Sequence, residues 1–327
     1  MIGFNEIIGH KEQIDFLKKA LSTNKLSHSY IFEGVSGIGK KTTAMAFAKL
    51  IFCNEEATAE CDTCDACKRF DSGNHPDFML IVPDGKSIKN EQIEKFQEFV
   101  SIKPYLGDHK IILIDDASTM TVSAQNRILK TLEEAPKNVV IIFICETMSA
   151  LLPTIVSRCQ RLSFSRLEHQ LIESYLLDNF ELTEEEASVF SQFGDGSLKK
   201  AIESASSDPF KNGRGLAIKL MMAIHRQERS KSIGIADELS KLELSLIDII
   251  DILETYYRDL MMLLIFNLPN RMMNKDFGDE LYICAQLIQR KKLVNYIEAT
   301  EDAKKMLREN VNESIVLDGL IVALQEG

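Results

Sequence analysis

The sequence predicts an α/β domain built on a parallel sheet, followed by a region made only of helices. Three observations point there. Up to about residue 165, short apolar runs of strand length alternate with helical patterns, the order expected of a parallel sheet covered on both faces. A glycine-rich loop follows the first of these runs and opens a helix. After Phe164 no convincing strand pattern occurs.

The strand-like runs are Ser29–Glu33, Phe78–Val82, Lys110–Ile114, Val139–Cys145 and Gln160–Phe164. Apolar strands separated by helices fit a parallel sheet covered on both faces. Helical patterns fill the gaps, among them Thr42 to Phe52, Glu91–Val100 and Ala124–Glu134. Leu167–Asn179, Glu184–Phe193 and Ser197–Ala205 then read as short helices. Ser206-Ser207-Asp208-Pro209 reads as a linker, because its residue types favour turns. From Phe210 onward the pattern is helical. Leu246, Ile249, Ile250, Leu253, Tyr257, Leu260, Met261 and Leu264 fall on one helical face, and Ile247, Ile252 and Leu263 widen it, so this helix should be largely buried.

Composition narrows the function classes. A chain of 327 residues, 45% of them apolar, has room for two or three packed domains. A net charge of −11 argues against a free-standing nucleic-acid binder driven by bulk charge; such contact needs a local basic surface or basic partners. The first residues lack a basic stretch and a long apolar core, so no signal peptide is expected. The most apolar candidate span, Leu244 to Phe266, carries Asp248, Asp251, Glu254, Arg258 and Asp259, so no membrane span is expected. These readings place the chain in the cytoplasm, where its seven cysteines favour metal binding or burial over disulfides.

The glycine loop is Gly34-Val35-Ser36-Gly37-Ile38-Gly39-Lys40. Its glycines let backbone N–H groups close around phosphate oxygens, and Lys40 supplies a neutralising charge. The next position should be Ser or Thr, whose hydroxyl holds magnesium, but it is Lys41. Thr42 is no substitute, because one residue along a helix turns about 100° around its axis. Lys41 could instead fill the space of the missing metal. A second motif, Ile111-Ile112-Leu113-Ile114-Asp115-Asp116, reads as a buried strand ending in two acids. Asp115 would bind magnesium through water. The second acid, which polarises the attacking water in such sites, is usually Glu; Asp116 is one methylene shorter and would reach that water poorly. ATP or ADP binding at these residues is therefore doubtful, and independent hydrolysis is not expected.

Cys53, Cys61, Cys64 and Cys67 are separated by seven, two and two residues. Overlapping C-x-x-C steps let thiolates converge on one ion, and four thiolates suit tetrahedral zinc in a closed, structural site. An iron–sulfur cluster and unligated thiols are the alternatives. Polar residues between them (Asn54, Glu55, Glu56, Asp62, Asp65) argue against simple apolar packing. Cys145, Cys159 and Cys284 lie in apolar surroundings and read as core or near-core residues.

The order of these elements resembles the clamp-loader branch of AAA+ proteins. The resemblance begins with Phe4-Asn5-Glu6-Ile7-Ile8-Gly9-His10 and Leu26-Ser27-His28-Ser29-Tyr30, and continues through the glycine loop, the four-cysteine insertion and the acidic pair. It then takes in Ala124-Gln125-Asn126-Arg127-Ile128-Leu129-Lys130-Thr131-Leu132-Glu133-Glu134 and Pro153-Thr154-Ile155-Val156-Ser157-Arg158-Cys159. It is strong to about residue 205 and weaker beyond. A cysteine module right after the first helix of the domain is specific to the bacterial subunits. Within them, His75-Pro76-Asp77-Phe78 and Ser87-Ile88-Lys89-Asn90-Glu91-Gln92-Ile93 are similar to the delta-prime type, and an end at Gly327 lacks the extension usual in motor subunits.

The resemblance implies a layout and a role. Residues 1–165 would form an AAA+ domain with a zinc module at 53–67, residues 166–207 a small helical lid, and residues 208–327 a helical oligomerisation collar. Arg158 of the Ser-Arg-Cys motif would reach a neighbouring subunit's ATP, where a guanidinium stabilises charge on the transferring phosphoryl group. The chain's own site would be degenerate at Gly34, Gly37, Gly39, Lys40, Lys41, Thr42, Asp115, Asp116 and Lys199. Lys199 stands where active members carry an arginine, and Cys145-Glu146-Thr147 departs from their threonine-rich pattern. The implied partners are the gamma/tau and delta subunits and, through the complex, the sliding clamp and primed DNA. The whole would belong to a DNA-directed DNA polymerase III holoenzyme. An ATP-hydrolysing motor subunit is the alternative within the family, and an independent zinc-containing P-loop nucleotide kinase the alternative outside it.

Overall fold

A computed structural model describes residues 3–53, 61 and 63–326. The chain divides into two compact units. One comprises Met1–Leu171 with Gly196–Lys199; the other comprises Ile172–Asp195 with Lys200–Gly327.

The first unit is built on β1 (Ser29–Glu33), β2 (Phe78–Ile81), β3 (Lys110–Ile114), β4 (Val139–Cys145) and β5 (Gln160–Ser163), five parallel strands in the order β2-β3-β4-β1-β5. The helices here are α1 (Lys11–Ser22), α2 (Lys40–Phe52), α3 (Asp65–Asp71), α4 (Asn90–Ser101), α5 (Val122–Glu133) and the short α6 (Pro153–Val156), and α7 (His169–Asn179) starts in this unit. Successive residues of a strand face opposite sides of its sheet. Ile111 and Leu113 therefore pack with Leu17, Phe47 and Leu50 of α1 and α2. Ile112 and Ile114 pack with Phe96 of α4 and Ile128 of α5. Both faces of the sheet's interior are covered, which is why β4 and the residues Ile111–Ile114 of β3 read as unbroken apolar runs, whereas the edge strand β5 exposes Gln160, Arg161 and Ser163. β1 lies between β4 and β5, and β3 lies beside β4. The loop after β1 and the acids after β3 consequently emerge at the same carboxyl edge of the sheet, the edge at which open α/β sheets bind ligands.

The second unit takes in most of α7 and continues through α8 (Glu184–Gly194), most of α9 (Leu198–Ser206), α10 (Asp208–His225), α11 (Arg229–Leu239), α12 (Leu246–Leu264), α13 (Gly278–Leu287), α14 (Leu293–Arg308) and α15 (Glu313–Glu326). The stretch expected to be a linker at 206–209 is a helix junction instead. Ser206 ends α9, the Ser207 hydroxyl accepts from the Phe210 N–H, and Asp208 and Pro209 form the first turn of α10. Pro is tolerated there because the first turn's N–H groups have no intrahelical partner. No helix among the described residues is long and apolar enough to cross a membrane.

α12 is largely buried over about its first four turns, where Ile250, Ile252, Leu253, Tyr256, Tyr257 and Leu260 are wholly enclosed, while Ile247 is exposed and Met261, Leu263 and Leu264 are half-buried. Its Asp259 is fully buried and accepts hydrogen bonds from the N–H groups of Met273 (2.8 Å) and Asn274 (2.7 Å) and from Asn274 Nδ2 (2.8 Å). Burial raises its pKa and these donors oppose the rise. Buried Arg214 of α10 joins the same turn through Asn274 Oδ1 and Asp276, each at 2.9 Å. Removing the carboxylate strands three donors in a dry site. Asp259→Ala is expected to cost about 3 kcal/mol or more, read from urea unfolding, with Asp259→Asn milder.

Candidate functional site

β1 delivers the chain into the glycine loop, and the loop's path is fixed by close contacts. Gly34 donates its N–H to the Cys145 carbonyl (3.3 Å), and a Cβ at Gly34 would lie 2.4 Å from the Phe164 carbonyl oxygen. Gly37 has φ +75°, and a Cβ there would lie 2.3 Å from Ser197 Oγ and 2.8 Å from the Lys199 Cβ. The Lys199 N–H donates to the Gly37 carbonyl at 3.1 Å. So the segment 196–199 rests directly on the loop. Helix α2 begins at Lys40, two residues earlier than its pattern predicts, on a left-handed Gly39. Its first intrahelical bond runs from the Thr43 N–H to the Gly39 carbonyl (2.8 Å), which leaves the N–H groups of Lys40, Lys41 and Thr42 without helical acceptors.

Lys40 is buried, and its ammonium donates to the loop's own carbonyls, Gly34 at 2.5 Å and Val35 at 2.7 Å. Burial lowers its pKa, while Glu146, Cys145, Asp115 and Asp116 push it back up. Lys41 Nζ lies 2.9 Å from Asp115 Oδ2. The structure thus brings together the two residues that stand at the magnesium-binding positions, and it pairs them with each other. Asp116 is left-handed (φ 50°, ψ 52°) and its carboxylate accepts from the Ser118 hydroxyl at 2.7 Å. It serves a tight turn over Ala117–Thr119. Cys145 is buried, and burial, aided by Glu33, pushes its thiol up to about 11.

Sequence reasoning gave His10 no role at the site. It is left-handed and nearly buried; its Nε2 lies 2.7 Å from the Ile38 carbonyl, and its ring meets Phe164 edge-on at 4.9 Å. Burial lowers its pKa, the Ile38 bond opposes this, and Lys40 adds to it. It buttresses the loop from beneath. The only signal in the sequence is the Gly9-His10 pair before α1.

Arg158 is elsewhere. Its carbonyl accepts from the Ser29 hydroxyl (3.0 Å), which places it at the amino end of β1. The glycine loop leaves the carboxyl end of that strand, about 13 Å further along at ~3.3 Å per residue. The guanidinium donates to the Thr154 carbonyl (2.9 Å) and forms an ion pair with Glu133 (2.7 Å), with its side chain 36% exposed. Sequence reasoning did not single out Glu133 as its partner.

The cysteines form a separate cluster. Cys53 closes α2, Cys64 precedes α3 and Cys67 lies within it. Their sulfur atoms and that of Cys61 all lie within 4.8 Å of one another. Tetrahedral zinc with Zn–S bonds of about 2.3 Å sets its sulfurs ~3.8 Å apart, so a small contraction of this set would hold an ion. The Cys64 N–H donates to Cys61 Sγ at 3.3 Å, the kind of support a thiolate ligand receives. Burial, then the neighbouring thiols, push the Cys67 thiol up. A set of four close sulfurs therefore suits a metal ion. The polar residues Asn54, Glu55, Glu56 and Asp62 lie outside the described residues. Nearby in sequence, Phe52 stacks on His75 (3.8 Å) and Phe70 meets Phe78 (4.9 Å). Cys145 and Cys284 are buried and Cys159 is half-buried, as expected of core and near-core residues.

Comparison with known proteins follows this geometry. A family profile described as DNA polymerase III, delta subunit, matches residues 9–168. The DNA polymerase III subunit delta-prime of Bacillus subtilis is 34% identical over 318 residues, 95% of this chain and 94% of the relative. The tau subunit of the same organism is 29% identical over 282 residues, 79% of this chain but 50% of the relative. Among solved structures, a DNA polymerase III gamma subunit-related protein of Thermotoga maritima covers 96% of this chain and 99% of its own, at 17% identity and a TM-score of 0.48, too loose a likeness to argue from. On the strength of the full-length match, the chain belongs to the delta-prime family of DNA polymerase III subunits.

Proposed function

We propose that this chain is a cytoplasmic ring member of a clamp loader that completes a neighbour's ATPase site with Arg158 and does not hydrolyse ATP itself. The observation that carries the proposal is the placement of Arg158. Its backbone sits at the amino edge of the sheet, on the edge opposite the chain's own glycine loop, which supports service to a phosphate held by another subunit. Its neighbours would be gamma/tau and delta subunits, and the assembled ring would open the sliding clamp and place it on primed DNA. The lid at 166–207 and the collar at 208–327 belong to this proposal, with the collar carrying oligomerisation. So does the ion at Cys53, Cys61, Cys64 and Cys67, which we assign as structural zinc because four thiolates leave no open coordination position. Co-purification with the gamma/tau and delta subunits of the same organism tests the proposal; a chain that stays alone in their presence overturns it.

The residues at the loop fit a phosphate group better than they fit magnesium. The glycine cradle, the amides opening α2 and Lys40 suit phosphate oxygens. The metal's hydroxyl ligand is replaced by Lys41, and its carboxylate ligand is engaged. The isolated chain is therefore expected to release phosphate from ATP no faster than a buffer blank, with or without primed DNA. Lys41→Thr alone should not restore turnover, because Asp116 remains in its turn and Lys199 remains on the loop. The motor reading keeps one support, the identity shared with the tau subunit over part of its length. Robust turnover by the purified wild-type chain would favour it.

A further inference from the structure

We propose that a basic pocket at the amino edge of the sheet, walled by His28, His109 and Lys137, receives a carboxylate side chain of the ring subunit that Arg158 faces. The occupant is an aspartate or glutamate of that neighbour, seated beside the arginine.

The pocket lies where β1, β3 and β4 begin. Its volume is about 340 Å³; Leu26, Val139 and Val140 give it apolar walls, and His28, His109 and Lys137 give it nitrogen atoms. None of its described lining residues is acidic, in a chain whose net charge is −11. The backbone fixes these groups. The His28 carbonyl accepts from the Ile141 N–H at 2.9 Å. Lys137 rides on a turn closed by the bond from the Val139 N–H to the Pro136 carbonyl (3.0 Å), and the Asn138 carbonyl of that turn accepts from the N–H of Lys110, next to His109 (2.7 Å). His28 and Lys137 are exposed and His109 is half-buried.

His109 adds an unmet bond. Its Nδ1 is buried and has no hydrogen-bond partner, a costly state for a polar atom. The last torsion of an imidazole is broad, so the ring can turn this nitrogen towards a ligand. Burial lowers the His109 pKa and Asp108 opposes this, and an arriving carboxylate would favour the charged ring further. A carboxylate side chain suits every part of the pocket. Its oxygens accept from ammonium and imidazole N–H groups, and its methylenes cover the apolar walls. Continuity with Arg158 selects the source. Ser29, the residue after His28, donates its hydroxyl to the Arg158 carbonyl (3.0 Å), and Glu133, just before Ala135 of the pocket wall, pairs with the guanidinium (2.7 Å). A subunit that meets Arg158 therefore also meets the pocket.

That this edge faces a neighbour rests on the reading of Arg158, so Arg158→Ala is measured alongside. The purified full-length chain is titrated with the gamma/tau subunit of the same organism over a range of salt concentrations. Lys137→Glu should weaken binding about tenfold or more at low salt, a loss of about 1.4 kcal/mol, because it sets one carboxylate against another. Lys137→Arg should bind like the wild type. Lys95→Glu, the same charge change at an exposed position of α4, is the control. Wild-type affinity should fall as salt rises, and that of Lys137→Glu should not. His28 should be shielded from diethyl pyrocarbonate once the complex forms. A Lys137→Glu loss no larger than that of Lys95→Glu, or a His28 that reacts equally in the complex, overturns the proposal. So does shielding of His28 by primed DNA without the subunit, since the occupant would then be a phosphate. If Arg158→Ala leaves hydrolysis by the complex intact while Lys137→Glu still weakens binding, only the arginine reading fails; the reverse result removes only the pocket.

Discussion

Arg158→Ala is expected to lower DNA-stimulated ATP hydrolysis by the reconstituted clamp loader about tenfold or more, and clamp loading with it. A guanidinium supplied from a neighbouring subunit acts on charge that develops only in the transition state, in a site largely emptied of water. Comparable arginines are worth roughly a thousandfold or more at the site they serve. The expected loss for the whole complex is set lower, because this chain can serve only one neighbour's site. Arg158 is bound to Glu133 in this chain, but an exposed ion pair of this kind is worth about 0–1 kcal/mol, so a phosphate can displace it readily. Arg158→Lys should rescue little, since an ammonium lacks the planar fork. Folding and metal content should not change, because the side chain is partly exposed and its contacts are local. Lys40→Ala is the contrast: it disturbs only the chain's own loop and should leave hydrolysis by the complex near wild type. If Lys40→Ala cripples the complex while Arg158→Ala is silent, the chain is a motor and not a donor.

The sheet was legible because its physics is simple. Strands covered on both faces must be apolar at every position, and Ile111 to Ile114 advertise that directly. The junction at 206–209 was misread because Ser, Asp and Pro signal both a loop and a helix start, and only the hydrogen bond from Phe210 to Ser207 separates the two. The site was half legible. The glycines and the substitution at Lys41 are local and visible. The pairing of Lys41 with Asp115 is not, because it depends on β3 and β1 flanking β4 so that their carboxyl ends meet. His10 was missed because its one local signal, the Gly9-His10 pair, does not reveal the contact with Ile38 that ties it to the loop. The opposite placement of Arg158 follows only from the strand it is tied to. Family membership removes the nucleotide-kinase reading, for which the Ser157-Arg158-Cys159 motif never had a use.

Metal analysis of the wild-type chain is expected to find one zinc per molecule, and Cys64→Ser is expected to abolish that binding. The sulfurs of Cys53, Cys61, Cys64 and Cys67 lie close enough to share one ion, and removing one thiolate leaves three ligands and an open position. Structural zinc in small modules supplies folding free energy on the order of 10 kcal/mol, strongly dependent on pH because protons compete for the thiolates. Among the described residues of this segment, α3 is short and offers few packing contacts beyond Ala66, Cys67 and Phe70. The variant, or wild type stripped by a strong chelator, should therefore become protease-sensitive within 53–67. Its melting temperature should also fall. The sheet should survive, because its core draws on Phe32, Phe47, Ile112 and Phe143, and Phe52, Phe70 and His75 pack on one another. Spectroscopy separates the other occupants. Brown protein with visible absorbance would replace zinc by an iron–sulfur cluster, and a fully metal-free chain with unchanged melting would mean that the four thiols converge without an ion and that the module stands on its packing alone.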